Sequence, residues 1–170
     1  LDKDFLFAQR VWFLKETPSL CTSCATGCNI VIGSREDRIY RYEPRENEAV
    51  NACWMCDYGR LNYAWIGRAD RLTEIRGPQA AGQAPAPGWT PILREISGKL
   101  RQAAAGSVAI IASARQTNEE LYLLAKLAKK LGALTDSVPR MGEGDRLLLN
   151  ADRNPNSAGA RLTGIAATPM

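Results

Sequence analysis

Histidine does not occur among the 170 residues, which excludes His-ligated metals and any mechanism that uses imidazole as a base. Long apolar runs are missing as well, and no stretch approaches the roughly 20 residues of a membrane-spanning helix. Neither sign of charge dominates. With 22 Lys and Arg against 18 Asp and Glu, the net charge of +4 is small, and the cations are spread along the chain, which argues against a nucleic-acid interface. Five cysteines are too few for a secreted disulfide framework, and their odd number leaves one unpaired, so a reducing compartment is expected. No signal peptide is visible in these residues, and no internal repeat. The opening Leu1-Asp2-Lys3-Asp4 lacks an initiator methionine, and the expectation is a fragment of a longer protein. No nucleophile is paired with a base, so no catalytic residue is assigned.

What the chain does have is clustered cysteine. Cys21, Cys24, Cys28 and Cys56 are spaced C-x2-C-x3-C-x27-C, a pattern that can place four thiolates around one 4Fe-4S cubane. A second subset, Cys21, Cys24, Cys53 and Cys56, reads C-x2-C-x28-C-x2-C and suits two knuckles around tetrahedral zinc. Spacing alone leaves both open. Gly27 lets the backbone turn beside Cys28, Ala25 and Thr26 are small enough for close approach, and Trp54 and Met55 are placed to shield the site. Arg60 either puts a positive charge near the site or makes a surface ion pair. A thiolate-held cubane carries about −2 and would bring the net charge down to about +2.

The organisation is mixed α/β (α+β), in two parts. Residues 1–76 read as a small strand-rich unit, with strands predicted at Arg10-Val11-Trp12-Phe13-Leu14, at Asn29–Gly33 and at Arg38–Tyr42. The last two form a hairpin through the polar turn Ser34–Asp37, which makes the 27-residue gap closable. Residues 77–89 are rich in Gly and Pro and form a linker. Residues 90–170 alternate helix and strand as part of a parallel sheet. Thr90 and Pro91 open a helix running to about Ala105, and Ser107–Ala112 is a buried parallel strand. Thr117 and Glu120 make a capping box for a helix whose apolar face is Leu121, Leu124, Ala125, Ala128 and Leu131, ending at Gly132. Ala133–Val138 is the next strand, and Leu147-Leu148-Leu149 a further strand or helix core. The loop Ser113–Thr117 lies where an α/β fold binds phosphate but lacks a glycine-rich turn, so it reads as an N-capping loop. Asn154–Gly159 reads as a simple turn.

Three runs carry a resemblance. They are Cys21-Thr22-Ser23-Cys24-Ala25-Thr26-Gly27-Cys28-Asn29, Pro44-Arg45-Glu46-Asn47, and Val50-Asn51-Ala52-Cys53-Trp54-Met55-Cys56-Asp57-Tyr58-Gly59-Arg60. Together they resemble the iron-sulfur subdomain of the molybdopterin oxidoreductase superfamily, and most closely the large iron-sulfur subunits of bacterial respiratory complex I, the NADH:quinone oxidoreductase. Asp2–Phe5 with Arg10–Leu14, Asn118-Glu119-Glu120 and Asp152-Arg153-Asn154-Pro155-Asn156 are also similar to that family. The resemblance implies Cys21, Cys24, Cys28 and Cys56 as ligands of one 4Fe-4S cluster, with no role for Cys53. It implies an electron-transfer or structural module, partnered by other peripheral-arm subunits on the cytoplasmic side of the inner membrane, without independent catalysis. True molybdenum enzymes of the superfamily, such as formate dehydrogenase or nitrate reductase, usually carry Lys or Arg two residues after the fourth cysteine. Here that residue is Tyr58, which can hydrogen-bond but supplies no fixed positive charge, so bound molybdopterin is not expected.

Overall fold

Two separate apolar clusters organise the computed structural model, which describes residues 3–75, 88–104 and 106–166. The first lies under an antiparallel sheet of three strands, β1 (Lys15–Leu20), β2 (Asn29–Arg35) and β3 (Arg38–Pro44), in that spatial order. Arg35 pairs with Arg38 across a two-residue turn in which Glu36 and Asp37 have φ of 50° and 60°. Paired positive φ values match the right-handed twist of the strands, as in type I′ hairpin turns. Ile30 and Tyr42 project inward from β2 and β3 and pack with Cys21 and Cys28, with Ile32, Ile39, Met55 and Tyr63 around them.

The first strand departs from expectation. Val11–Phe13 forms a 3-10 turn, closed by Leu14 N–H donating to the Val11 carbonyl at 3.0 Å, and the strand lies at Lys15–Leu20 instead. Pro18 does not prevent pairing there, because β1 is an edge strand, where a residue without an N–H is tolerated. Pro18 sits opposite Val31 in the ladder.

Beyond β3 the chain turns through a loop into a short helix, α1 (Asp57–Leu61), and a 3-10 turn at Ala64–Gly67. The predicted linker lies outside the described residues over 77–87. Helix α2 (Trp89–Gln102) then starts one residue before the predicted Thr90, with Gly88 at φ 83° in the cap position, and Thr90 and Pro91 fall inside its first turn. Its predicted end at Ala105 is outside the described residues.

The second apolar cluster belongs to a β-α-β unit. Strands β4 (Ala109–Ala112) and β5 (Leu134–Ser137) pair in parallel, joined by helix α3 (Asn118–Leu131). The expected capping box is present: Thr117 Oγ1 accepts from Glu120 N–H at 3.3 Å and Glu120 Oε2 accepts from Thr117 N–H at 2.9 Å. Gly132 ends the helix in the left-handed region at φ 60°, where a glycine carries no Cβ penalty. Leu121 and Ala128 from α3 are buried, and Leu121 packs with Ala112, Ala114, Ala160 and Ile165. The last two come from or follow a short helix, α4 (Ser157–Leu162), capped by Asn156. Of the predicted turn at Asn154–Gly159, Pro155 and Asn156 do form a turn, and Ser157 to Gly159 begin the helix.

The leucine run is not an element. Leu147, Leu148 and Leu149 donate their backbone N–H groups to one oxygen of Asp145 at 2.8, 2.9 and 2.8 Å, and Leu147 is 88% exposed. A carboxylate followed closely by free amides can wrap the chain into a turn that competes with regular structure. Asp145 thus makes a loop out of three good core formers.

Leu121 has no exposed surface. Leu121→Ala is expected to destabilise the protein by about 2–5 kcal/mol through lost transfer energy and a residual cavity, measurable as a lower midpoint in urea unfolding.

Candidate metal centre

Cys21 and Cys28 are the first and last residues of the loop that joins β1 to β2, just beyond the Leu20–Asn29 pair that ends the ladder. Cys21 N–H donates to the Cys28 carbonyl at 2.8 Å, so one more backbone bond closes the loop. Within it Gly27 adopts φ 65°, a conformation costly for residues with a Cβ. Cys21, Cys24 and Cys28 are all buried.

Cys56 reaches the same place from the other side. It is the N-cap residue of α1, and its Sγ accepts from Gly59 N–H at 3.4 Å. Burial pushes the Cys28 thiol up to about 11, and the next causes are the charges of Cys21, Cys24 and Cys56. Cys56 is raised in turn by burial and by Cys24 and Cys21. Mutual repulsion of this kind is the mark of four sulfurs gathered at one place. Cys53 is exposed and is not among the groups acting on either.

A cofactor fits this space. A Cβ built on Gly59 would stand 3.0 Å from the Cys21 sulfur and 3.6 Å from the Cys56 sulfur. Absence of a side chain there keeps α1 close to both thiolates, and thiolate donors suit iron-sulfur clusters. Among the described residues no three or more Cys, Asp or Glu side chains stand at the spacing that holds a single metal ion. A cubane asks for a wider set, because each cysteine binds its own iron around a cage.

The surroundings differ in part from expectation. Met55 packs against the cluster containing Cys21 and Cys28, as predicted, but Trp54 is 68% exposed and shields nothing. Its backbone is what matters, since the Trp54 carbonyl is held from inside the protein. Arg60 donates to the Tyr42 carbonyl at 3.3 Å, on a residue that packs with Cys21 and Cys28, and among the described residues it does not form the surface ion pair that was the alternative. Tyr42 lies against Cys21, and burial, followed by the Cys21 charge, raises its phenol pKa above the ordinary value. Tyr58 is half exposed, under the guanidinium of Arg153 at 4.6 Å from its ring centre.

Sequence reasoning missed Asn51. It is 2% exposed, and its Oδ1 accepts from Asn29 N–H at 2.9 Å while its Nδ2 donates to the carbonyls of Trp54 at 3.0 Å and Arg45 at 3.3 Å. One side chain thus ties the residue after Cys28 to the loop before Cys56. The available signal was an amide residue among small and apolar neighbours at the point where the chain returns. Ser23, also buried, is tied by Asn62 Nδ2 donating to its Oγ at 2.9 Å.

The later part of the chain reaches this site as well. Ala25 N–H donates to the Asp152 carbonyl at 2.9 Å, and Thr26 Oγ1 donates to the Leu148 carbonyl. The loop Ser113–Thr117 is an N-capping loop, as expected: Thr117 caps α3 and the loop closes on itself, with Ser113 N–H donating to Gln116 Oε1 at 3.2 Å and Arg115 N–H to Ser113 Oγ at 3.3 Å.

A hairpin loop of buried cysteines closed by a fourth from a helix cap defines the class: residues 14–66 belong to the molybdopterin oxidoreductase Fe4S4 domain family, whose cofactor is a 4Fe-4S cluster. More narrowly, the chain is similar to the G subunits of NADH-quinone oxidoreductase. The one from Rickettsia felis is 32% identical over 136 residues, 80% of this chain and 20% of that protein. The one from Pseudomonas putida is 42% identical over 72 residues, 42% of this chain and 8% of that protein. A related likeness is to the NADPH-Fe(3+) oxidoreductase subunit alpha of Geobacter sulfurreducens, 35% identical over 133 residues, 76% of this chain and 15% of that protein. The chain therefore spans a fifth or less of the length of these relatives. Among the described residues no helix is long and apolar enough to cross a membrane.

Asn51→Asp keeps the shape but replaces two donated hydrogen bonds with a buried charge. Lower stability of the metal-free protein is expected, by at least the ~1–3 kcal/mol of one unsatisfied buried group, together with poorer iron retention, both read in parallel by urea unfolding and iron analysis. Gly59→Ala, which crowds the Cys21 sulfur, should lower iron content with less loss of stability.

Proposed function

We propose that Cys21, Cys24, Cys28 and Cys56 hold one 4Fe-4S cluster, and that the chain is the cluster-bearing part of a NADH:quinone oxidoreductase large iron-sulfur subunit. The observation that carries this reading is the convergence of these four sulfurs, with Gly59 leaving room between them and α1. Such a cluster supplies reversible one-electron transfer. The chain's own residues do the rest. The β1–β2 loop holds three thiolates out of water, α1 presents the fourth, and the Gly59 N–H directs a dipole at the Cys56 sulfur, as hydrogen bonds to sulfur tune such sites. Residues 1–76 form the cluster-binding unit and residues 90–170 the start of an α/β domain that covers it. The partners are the other peripheral-arm subunits of the same complex, at the cytoplasmic face of the inner membrane. Within that complex the module transfers electrons or braces the arm, and reaction with NADH and quinone belongs to other parts. Tyr58, two residues past Cys56, supports the reading without pterin.

Anaerobic purification with metal and sulfide analysis tests the assignment. About four irons and four sulfides per chain are expected, whereas zinc alone overturns it, and molybdenum with pterin moves the protein to the molybdenum enzymes. Cys28→Ser should abolish the brown absorbance and Cys53→Ser should leave it. The reverse pattern would favour the two-knuckle zinc site.

A further inference from the structure

We infer that Asp145 is a positioning residue of the metal centre: the turn its carboxylate builds at Leu147–Leu149 aims the Leu148 carbonyl at Thr26 and so holds the Cys24–Cys28 part of the cysteine loop from outside. This rests on the assignment of a cluster to the four cysteines.

The cysteine loop secures its ends better than its middle. Cys21 N–H donates to the Cys28 carbonyl at 2.8 Å, whereas the bond within the loop, Gly27 N–H to the Cys24 carbonyl, is long at 3.4 Å. Ser23, just before buried Cys24, is held by Asn62. Just after Cys24 the holding groups come from a distant segment: Ala25 N–H donates to the Asp152 carbonyl at 2.9 Å and Thr26 Oγ1 donates to the Leu148 carbonyl. The grip therefore falls between two of the proposed ligands.

That segment, residues 140–153, is a folded-back strap. Arg153 N–H donates to the Arg140 carbonyl at 2.8 Å, Gly142 N–H to the Ala151 carbonyl at 2.9 Å, and Asp145 N–H to the Leu149 carbonyl at 3.1 Å, with Met141 bridging Asp152. A Cβ on Gly144 would stand 3.0 Å from the Leu149 carbonyl oxygen, so the glycine allows the strap to close. At its tip one oxygen of Asp145, Oδ1, accepts from the N–H groups of Leu147, Leu148 and Leu149 at 2.8, 2.9 and 2.8 Å. The tip also lies near the fourth cysteine, since Asp145 is among the charges acting on Cys56.

The link from Asp145 to Thr26 passes through a single peptide group. Leu149 N–H and the Leu148 carbonyl belong to the same planar unit, and in a trans peptide they point in opposite directions. No cis peptide occurs among the described residues. With the N–H fixed on Asp145, the carbonyl faces away from it, toward Thr26. Donation at one end also polarises the acceptor at the other. Asp145 itself is exposed, so its truncation opens no cavity in the core.

The experiment challenges the cluster-loaded protein anaerobically with an iron chelator and times the loss of visible absorbance. Asp145→Ala and Thr26→Val should each release iron about fivefold faster, the factor set by loss of one ordinary hydrogen bond. The double variant should also be about fivefold faster and not about twenty-five-fold, because both changes break one link. Asp145→Asn keeps an oxygen for the three amides and Thr26→Ser keeps the hydroxyl, so both should match wild type. Amide exchange in the metal-free proteins is the second readout. Asp145→Ala should speed exchange at Ala25 N–H, Asp145→Asn should not, and Leu121 N–H in the other core should keep its rate in both. An alanine variant that keeps iron as wild type does, multiplied effects in the double variant, or exchange quickened at Leu121 as much as at Ala25 each overturns the inference. If Asp145→Ala holds no cluster at all, the asparagine variant decides: restored loading supports the inference, and no loading overturns it. A wild-type protein that takes up no iron overturns the cluster assignment, and exchange at Ala25 still decides whether Asp145 orders the loop.

Discussion

Between the strand that leaves Cys28 and the loop that leads to Cys56 lies the side-chain amide of Asn51, buried and bonded to backbone on both sides. The other cysteine-positioning devices are local. A hairpin loop places Cys21, Cys24 and Cys28, and a helix cap places Cys56, but neither fixes one segment against the other. In a buried setting the amide's bonds to backbone are strong and their loss is expensive, so the 27 residues between the third and fourth cysteines return to one register. Arg60 on the Tyr42 carbonyl and Arg45 Nη2 on Asn29 Oδ1 at 2.6 Å add to the same seam.

Much of the architecture was legible because it is written in local chemistry. The capping box of α3 and its left-handed glycine depend on residues within one turn, and of the two strands flanking that helix β4 announces itself as a short apolar run, although Ile111 in it is exposed, not buried as expected. The cysteines are legible for a different reason: few side chains can serve a thiolate site, but spacing left Cys28 and Cys53 as alternatives and only the resemblance preferred Cys28, which is buried with Cys21 and Cys24 while Cys53 is exposed. What escaped depended on distant partners. Strand β1 is a strand because β2 offers it an edge, which overrides Pro18. Leu147–Leu149 is a loop because one carboxylate takes three amides that would otherwise join a ladder. Trp54 looked like a shield from its type alone, whereas its carbonyl is the part that the fold uses.

The two apolar clusters also divide the labour of the chain. The one around Leu121 is built from alanine, leucine and isoleucine and needs nothing beyond side-chain packing. The one around Ile30 includes Cys21 and Cys28 among its members, so the proposed metal ligands are there also core residues. Burial that helps the fold raises the cost of charging these sulfurs, and the positive iron-sulfide core of the proposed cluster would offset that cost. Stability of this half and occupancy of its centre are therefore linked.

The loop between β1 and β2 has one more consequence, for how the centre assembles. Six residue pairs of ladder run from Lys15–Ser34 to Leu20–Asn29, and the Cys21–Cys28 backbone bond continues the closure into the loop itself. The conformational entropy of bringing the loop's ends together is thus met by strand pairing before any ligand arrives. In the proposed site, preorganisation of this sort sets Cys21, Cys24 and Cys28 on one closed loop, whereas Cys56 comes from a separate element, the cap of α1.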